Sequence, residues 1–374
     1  MESVPQSTRP PRKVAFVFVS MPVGGAEDFA LGVGPHLAPE FQAHYVCLRE
    51  PGPLGEEAAA SGRHVHLLPV FSSRWLTPWG IRRFAAWLQR EGISVVHSQT
   101  HHAHVFATKA ARFLGIPSVV HQQKTLEELP PRRRRIFRSA LERCSHVVAL
   151  SGQTARDLSR TFEVPPDKIS VVPNGIERSV FCQSADRSAL RRRLGLPETG
   201  LLVGSVGRLH RHKSHETTIE ALALARCQEA EVSAVFVGEG ARRAELEGLA
   251  RSLGVADAVV FVGARRPVVP WMQSLDLFVL PSVWEGQPLA LLQAVACGLP
   301  VVASNIEGNT AVLGRNYPGL FAPGDATWLA KLLITAARDT SFVDTLGRGL
   351  QGVDIPWSDA SARQLADIYR TLLA

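Results

Sequence analysis

The sequence predicts an α/β protein made of two doubly wound parallel-sheet domains in tandem. Three observations carry this expectation. Short, nearly continuous apolar runs rich in Val, Phe and Leu alternate with helical stretches, the pattern of strands covered on both faces of a parallel sheet. The alternation pauses over a polar stretch, residues 177–199, and then restarts. Finally, 374 residues exceed what one hydrophobic core ordinarily serves.

In the first half, Val14–Ser20 (VAFVFVS) reads as a strand, followed by a Gly-Gly turn and a helix from Ala26. Val65–Val70, Ser94–His97, Ser118–His121 and His146–Leu150 are further expected strands, with helices at Arg82–Glu91 and His104–Leu114. In the second half, strands are expected at Leu201–Val206, Val232–Val237, Ala258–Phe261, Leu277–Leu280 and Pro300–Ser304. Helices fit at Glu216–Arg226, Arg242–Leu253 and Pro288–Cys297, and a last helix follows Trp357-Ser358.

Composition narrows the partners. A hydrophobic fraction of 45% and a charged fraction of 20% are those of a folded chain and exclude a long disordered one. No apolar run reaches the roughly 18 residues of a membrane-spanning helix. The first 13 residues are polar and Pro-rich, so they read as a loose tail and not a signal peptide. Five cysteines without a C-x-x-C pair give neither a zinc knuckle nor a disulfide framework, and a cytoplasmic setting is expected. The net charge of +7 is unevenly placed: residues 1–178 hold 22 Lys/Arg against 15 Asp/Glu, and residues 179–374 hold 19 of each. An anionic partner is therefore expected at the first half.

Ligands of such sheets bind beyond the carboxyl ends of the strands, so the unusual residues that follow strands matter most. Gly24 and Gly25 (MPVGGAE) follow the first strand and open a helix. They would let a ligand phosphate approach the backbone at a helix N-terminus; a plain strand-to-helix turn uses glycine too. The segment His97–His104 (HSQTHHAH) contains no carboxylate or cysteine to complete a metal site. A polar lining with His97 and His101 touching substrate is the better reading. His121 and Lys124 (HQQK) follow another strand, although a lone histidine is often only structural. Arg132, Arg133, Arg134 and Arg135 open a helix and suit an anionic membrane surface or, equally, a solvated face. Without interleaved aromatics or a DNA-reading motif, nucleic acid is not expected.

The second half is sharper. In Gly204–Lys213 (GSVGRLHRHK), Arg208 and Lys213 place two cations five residues apart after the first strand. A diphosphate needs neutralisation of this kind, from a guanidinium fork and a point charge. Pro281–Val302 (PSVWEGQPLALLQAVACGLPVV) reads strand, loop, helix, strand, with Glu285 before the helix and Gln293 about 12 Å further on if all eight residues rise helically. That spacing suits an elongated ligand with sugar hydroxyls at both ends.

Together with Ala149-Leu150-Ser151, Val172-Pro173-Asn174-Gly175-Ile176, Val237-Gly238-Glu239-Gly240 and Phe261-Val262-Gly263, these pieces span nearly the whole chain. In this order they resemble the retaining nucleotide-sugar glycosyltransferases of GT-B fold, in the large family 4 group. The resemblance implies two Rossmann-like domains facing a central cleft. Residues 1–178, completed by the C-terminal helix 357–374, would form the acceptor side, and residues 179–356 the donor-binding side. It implies that Arg208 and Lys213 hold the donor diphosphate and that the backbone around Gly24 and Gly25 closes over it. Glu285 would take the sugar hydroxyls, backbone N–H groups of Gln287 to Leu289, Pro288 between them, would face phosphate or sugar, and Gly286 would belong to the same donor-binding loop. His121 matches the family's histidine beside the reacting centre. No Asp-x-Asp pair is present, so a metal-independent transfer without a cofactor is expected. Where the family carries a second glutamate toward the donor ribose, this chain has Gln293.

The expected activity is transfer of a sugar, most simply from a UDP-sugar, to a glycan or lipid-linked acceptor, as in polysaccharide or lipopolysaccharide synthesis. A peripheral station at the inner face of a membrane would follow. A small-molecule acceptor, as in antibiotic glycosylation, is the alternative. Two other classes remain: an epimerase of the same fold, which would need paired carboxylates that the first half does not display, and a non-catalytic binding or partner subunit, motivated by Gln293.

Overall fold

The computed structural model describes residues 10–70, 78–122, 131–181 and 186–374. The chain divides into two compact units, Met1–Glu177 with Pro356–Ala374, and Arg178–Ile355.

The first unit is a seven-stranded sheet. Its strands are β1 (Arg12–Phe18), β2 (Phe41–Cys47), β3 (His64–Leu67), β4 (Ile93–Ser98), β5 (Ser118–Gln122), β6 (His146–Ala149) and β7 (Ile169–Val171). They lie in the order β3-β2-β1-β4-β5-β6-β7, every neighbour parallel. Successive residues face opposite sides of the sheet, and both sides are covered. Phe16, Phe18, Val95 and Val119 pack against the helices Gly25–Val33 and Ser358–Leu373. Ala15, Val17 and Val96 pack against Pro78–Glu91 and His101–Leu114. This two-sided burial explains why β1 reads as one apolar run.

The C-terminal helix joins this unit through a tight crossing. Ile176 and Trp357 form a parallel bridge, with Ile176 N–H on Pro356 O at 3.0 Å and Ser358 N–H on Ile176 O at 3.1 Å. A Cβ on Gly175 would lie 2.6 Å from Ser358 Cα, so only glycine lets the two segments run this close.

The second unit is a six-stranded parallel sheet of β8 (Leu201–Val206), β9 (Val232–Val237), β10 (Val259–Gly263), β11 (Leu277–Leu280), β12 (Val301–Ser304) and β13 (Leu320–Phe321). The order is β10-β9-β8-β11-β12-β13. The polar stretch before it contains a helix, Arg187–Leu194, capped by Asp186 and ended by Gly195 in the left-handed region at φ 65°. Arg191 of that helix is buried. It donates to Asp276 Oδ2 at 2.6 Å and to Ser274 O at 2.8 Å, which fixes the helix beneath β11.

Both sheets are doubly wound, as expected. Strand order reverses between β1 and β4 in the first unit and between β8 and β11 in the second, and these switch points are where open α/β sheets bind ligands. Among the described residues no helix is long and apolar enough to cross a membrane.

Candidate functional site

The loops at the switch point of the second unit are those after β8 and β11, and they carry Arg208, Lys213 and Glu285. Glycine sets the first loop. Gly207 and Gly238 have φ near 154° (153° and 155°), and a Cβ on Gly238 would lie 1.9 Å from Gly207 O. A Cβ on Gly240 would lie 2.3 Å from Leu209 O. The loops after β8 and β9 therefore touch backbone to backbone, and Leu209 N–H donates to Glu239 O at 3.0 Å.

The second loop is tied to the first. Val283 N–H donates to His212 O at 2.8 Å. Lys213 Nζ lies 2.6 Å from Glu285 Oε1, with the two side chains 15% and 8% exposed. Ser282 Oγ donates to the same Oε1 at 2.6 Å. A third segment backs this loop's main chain: a Cβ on Gly308 would lie 2.3 Å from the backbone oxygen of Glu285, and Ser304 Oγ donates to Ser282 O. Asn309 donates to Ser304 O at 2.9 Å. Both donors converge on Oε1, and among the described residues no hydrogen bond to Oε2 is seen. Arg208 is exposed, and its carbonyl is 3.3 Å from Nε2 of the buried His215. Burial holds that imidazole down to a pKa of about 3, with Lys213 adding to the effect, so it is neutral.

The rest of this element differs from expectation in two ways. The helix is Leu289–Ala296, so residues 285–288 do not rise helically and the 12 Å separation from Glu285 to Gln293 has no basis. Backbone donors over residues 287–289 are also fewer than expected. Pro288 has no N–H, and Leu289 N–H is taken by Gln287 O at 2.9 Å. Gly286 and Gln287 are half-buried on the loop, and Gln293 is half-buried on the helix.

In the first unit, Gly24 and Gly25 stand after β1 at its switch point. Gly24 is extended (φ −174°), and a Cβ there would meet Glu27 Oε2 at 2.7 Å. Gly25 begins the helix Gly25–Val33, and a Cβ on it would meet nothing within 4 Å. The fold therefore gives no steric reason for glycine at residue 25.

His121 lies on β5, fully buried, with neither ring nitrogen partnered among the described residues. Phe29 meets its ring edge-on at 4.6 Å, and burial lowers its pKa to about 3. His97 is corrected from acceptor contact to core residue. It shares the face of β4 with Val95, beneath the C-terminal helix, and Tyr369 Oη lies 2.5 Å from its Nδ1. His104 is also buried, on Ser98 Oγ at 2.9 Å. His101, half-buried, starts the helix His101–Leu114, with Phe137 5.1 Å from its ring. Of the histidines of HSQTHHAH, His97 thus faces the C-terminal helix, while His101 and His104 both pack against Phe137. Among the described residues, no group of three His, Cys, Asp or Glu side chains could hold a metal ion.

Lys124 lies outside the described residues. Arg132, Arg133, Arg134 and Arg135 are exposed in the first turns of the helix Pro131–Arg143, whose Phe137, Ala140 and Leu141 face the core. Cations in the first turn of a helix oppose its dipole, so this placement of arginines is unfavourable to the helix itself.

Sequence reasoning missed the supports of Glu285. Ser282 was visible three residues upstream, but Ser304, Gly308 and Asn309 come from another segment and had no local signal.

Two Rossmann-like units, the second with a cation loop and a carboxylate at its switch point, define the GT-B glycosyltransferase class. Two family models match: Glycosyltransferase Family 4 over residues 23–180 and Glycosyl transferases group 1 over residues 186–348. The D-inositol 3-phosphate glycosyltransferase of Salinispora arenicola is 30% identical over 355 residues, 88% of this chain and 74% of that one. The chain belongs to the family 4 glycosyltransferases. The UDP-Gal:alpha-D-GlcNAc-diphosphoundecaprenol alpha-1,3-galactosyltransferase of Escherichia coli is 28% identical over 243 residues, 62% of this chain. That match spans 63% of the E. coli protein, under two thirds of its length. Among solved structures, Anabaena Alr3699/HepE in complex with UDP-glucose superposes with a TM-score of 0.85 at 22% identity, covering 96% of this chain and 99% of that one.

Proposed function

We propose that this protein is a retaining, metal-independent glycosyltransferase that moves a hexose from a UDP-sugar to a glycan or lipid-linked acceptor. The observation that carries the reading is the convergence of Lys213 and Ser282 on one oxygen of Glu285, on loops that also hold Arg208. A nucleotide-sugar needs cations for its diphosphate beside an anionic acceptor for its sugar hydroxyls.

In this mechanism Arg208 and Lys213 neutralise the diphosphate and stabilise it as it leaves. Glu285 Oε2 accepts from a sugar hydroxyl. The acceptor oxygen attacks the anomeric carbon from the face the diphosphate leaves. The carbon–oxygen bond to phosphate breaks, and a phosphate oxygen takes the acceptor proton, so no protein base is required. His121, neutral through burial, cannot supply a proton near pH 7.

The acceptor reading draws on different support. The four exposed arginines at an unfavourable helix end argue for an anionic surface, which a lipid-linked acceptor at the cytoplasmic face of a membrane would supply. The named activity of the E. coli relative, on a diphosphoundecaprenol-linked sugar, agrees with that choice, whereas the name of the Salinispora arenicola relative, a D-inositol 3-phosphate glycosyltransferase, favours the alternative of a small-molecule acceptor. Gln293 favours one rival, a subunit that binds without turnover.

The test is a thermal-shift panel of UDP-, GDP-, ADP- and TDP-sugars in EDTA, followed by transfer assays with the donor that binds. A ligand of the native state raises Tm by mass action. A shift with UDP-sugars in EDTA and transfer with retained configuration are expected. A shift only with added magnesium would overturn metal independence. Binding without transfer to any acceptor would favour the non-catalytic subunit.

A further inference from the structure

The loop that carries Arg208 and Lys213 also holds two histidines, His210 and His212, to which the mechanism above gives no role. Their Nδ1 atoms lie 2.8 Å apart and their ring centroids 4.7 Å apart. At that distance one imidazole donates an N–H and the other accepts. The outer nitrogen of the donating ring can then take one further proton without breaking the contact, whereas a second would have to enter the contact itself. The pair is therefore a one-proton device. His212 is fixed by its own carbonyl, which Val283 N–H holds at 2.8 Å against the loop of Glu285.

We infer that His210 and His212 form a second, protonatable part of the anion site, which takes up one shared proton from solvent when the donor diphosphate binds. The inference rests on the donor-site reading of Arg208, Lys213 and Glu285. The charges around the pair set its direction. Arg208 and Lys213, on the same segment, oppose protonation of His212, and Glu285, from the loop after β11, favours it. Arg211, on the same segment, lies between the two histidines in sequence and is exposed. On the helix Arg243–Ser252, Glu245 senses Arg211 and is itself bound by Arg242. Burial, with Lys213 next, holds the His212 imidazole below its ordinary range, which favours its neutral form before a diphosphate arrives. An arriving diphosphate adds negative charge and moves the balance toward the protonated pair. In this position the pair would hydrogen-bond phosphate as a cation and help the diphosphate leave.

Calorimetry of UDP-glucose binding at pH 6.5, in buffers of different ionisation enthalpy, tests this. The diphosphate of a nucleotide-sugar is a diester that does not titrate between about pH 5 and 8, so proton uptake reports the protein. The expected result is uptake of a large fraction of one proton, with affinity rising about threefold or more from pH 7.5 to 6. In the His210→Asn/His212→Gln variant, uptake should vanish and affinity should become flat with pH between about 7.5 and 6. Binding without proton uptake, or uptake that survives in the variant, overturns the inference and leaves the donor site standing. No binding heat with any nucleotide-sugar would remove the donor-site reading, and the inference with it.

Discussion

Lys213 Nζ lies 2.6 Å from Glu285 Oε1 across 72 residues of sequence, and both side chains are largely withdrawn from solvent. A pair of this kind contributes little net stability when intact, because desolvation offsets attraction. Breaking it from one side is different, since the surviving charge is left buried and unmatched.

Glu285→Gln should therefore lower both stability and activity, by about 3 kcal/mol in unfolding free energy and by a large loss in kcat. The double variant Lys213→Met/Glu285→Leu should regain most of the stability and none of the activity. Denaturant melts with transfer assays separate the two effects. If the double variant regained activity, the pair would be a scaffold and not part of the site.

The buried histidines set a direction for acid sensitivity. His121 and His215 have folded pKa values near 3, below the ordinary 6.5, because burial penalises the charged ring. In the unfolded chain each binds a proton below pH 6.5, so their contribution to stability is full above 6.5. It is lost as pH falls toward 3, by about 1.4 kcal/mol per pH unit for each histidine. Thermal melts from pH 8 to 4.5 should show a flat upper limb and a falling lower one. The slope of the lower limb should lessen in His121→Gln.

Gln293 keeps a hydrogen-bond acceptor but not the charge of the family's glutamate. Gln293→Glu should bind the UDP-sugar more tightly, by up to about tenfold, the difference between a charged and a neutral hydrogen bond. Calorimetric titration measures it. Unchanged or weaker binding would mean that the side chain does not meet the donor ribose.

How much of this was legible beforehand depended on locality. Strands β8, β9 and β11 were read with their observed ends, because each is a short, mainly apolar run between turns. Strand β2 was missed: Gln42 and His44 break its pattern, although it pairs along its whole length with β1. Strands β7 and β13, of three and two residues, carry too little pattern to register. Lys213 and Glu285 were chosen for their chemistry, but their contact joins two loops that only the sheet order brings together. His97 was misplaced because its partner Tyr369 comes from 272 residues away.

The arginine helix gives a prediction of opposite signs. Replacing Arg132, Arg133, Arg134 and Arg135 by alanine removes cations from the positive end of a helix dipole, so Tm should hold or rise slightly. Binding to vesicles containing anionic lipid should fall by an order of magnitude or more, given about 1 kcal/mol per basic residue near such a surface. Vesicle sedimentation alongside melting curves checks both. Undiminished vesicle binding would make the four arginines a solvated helix face.

Glycine at two positions tests what each loop is for. At Gly238 a methyl group would collide with the Gly207 carbonyl, and φ of 155° already excludes most side chains. Gly238→Ala should therefore lower Tm together with donor binding. At Gly25 a methyl group meets nothing within 4 Å, and alanine in a helix is more stable than glycine by up to about 1 kcal/mol. Gly25→Ala should melt at or above the parent temperature. If glycine is there to admit the donor phosphates, kcat/KM falls by tenfold or more in a protein that is no less stable. If kcat/KM is retained, Gly25 is a turn residue, and no ligand approaches the backbone at that point.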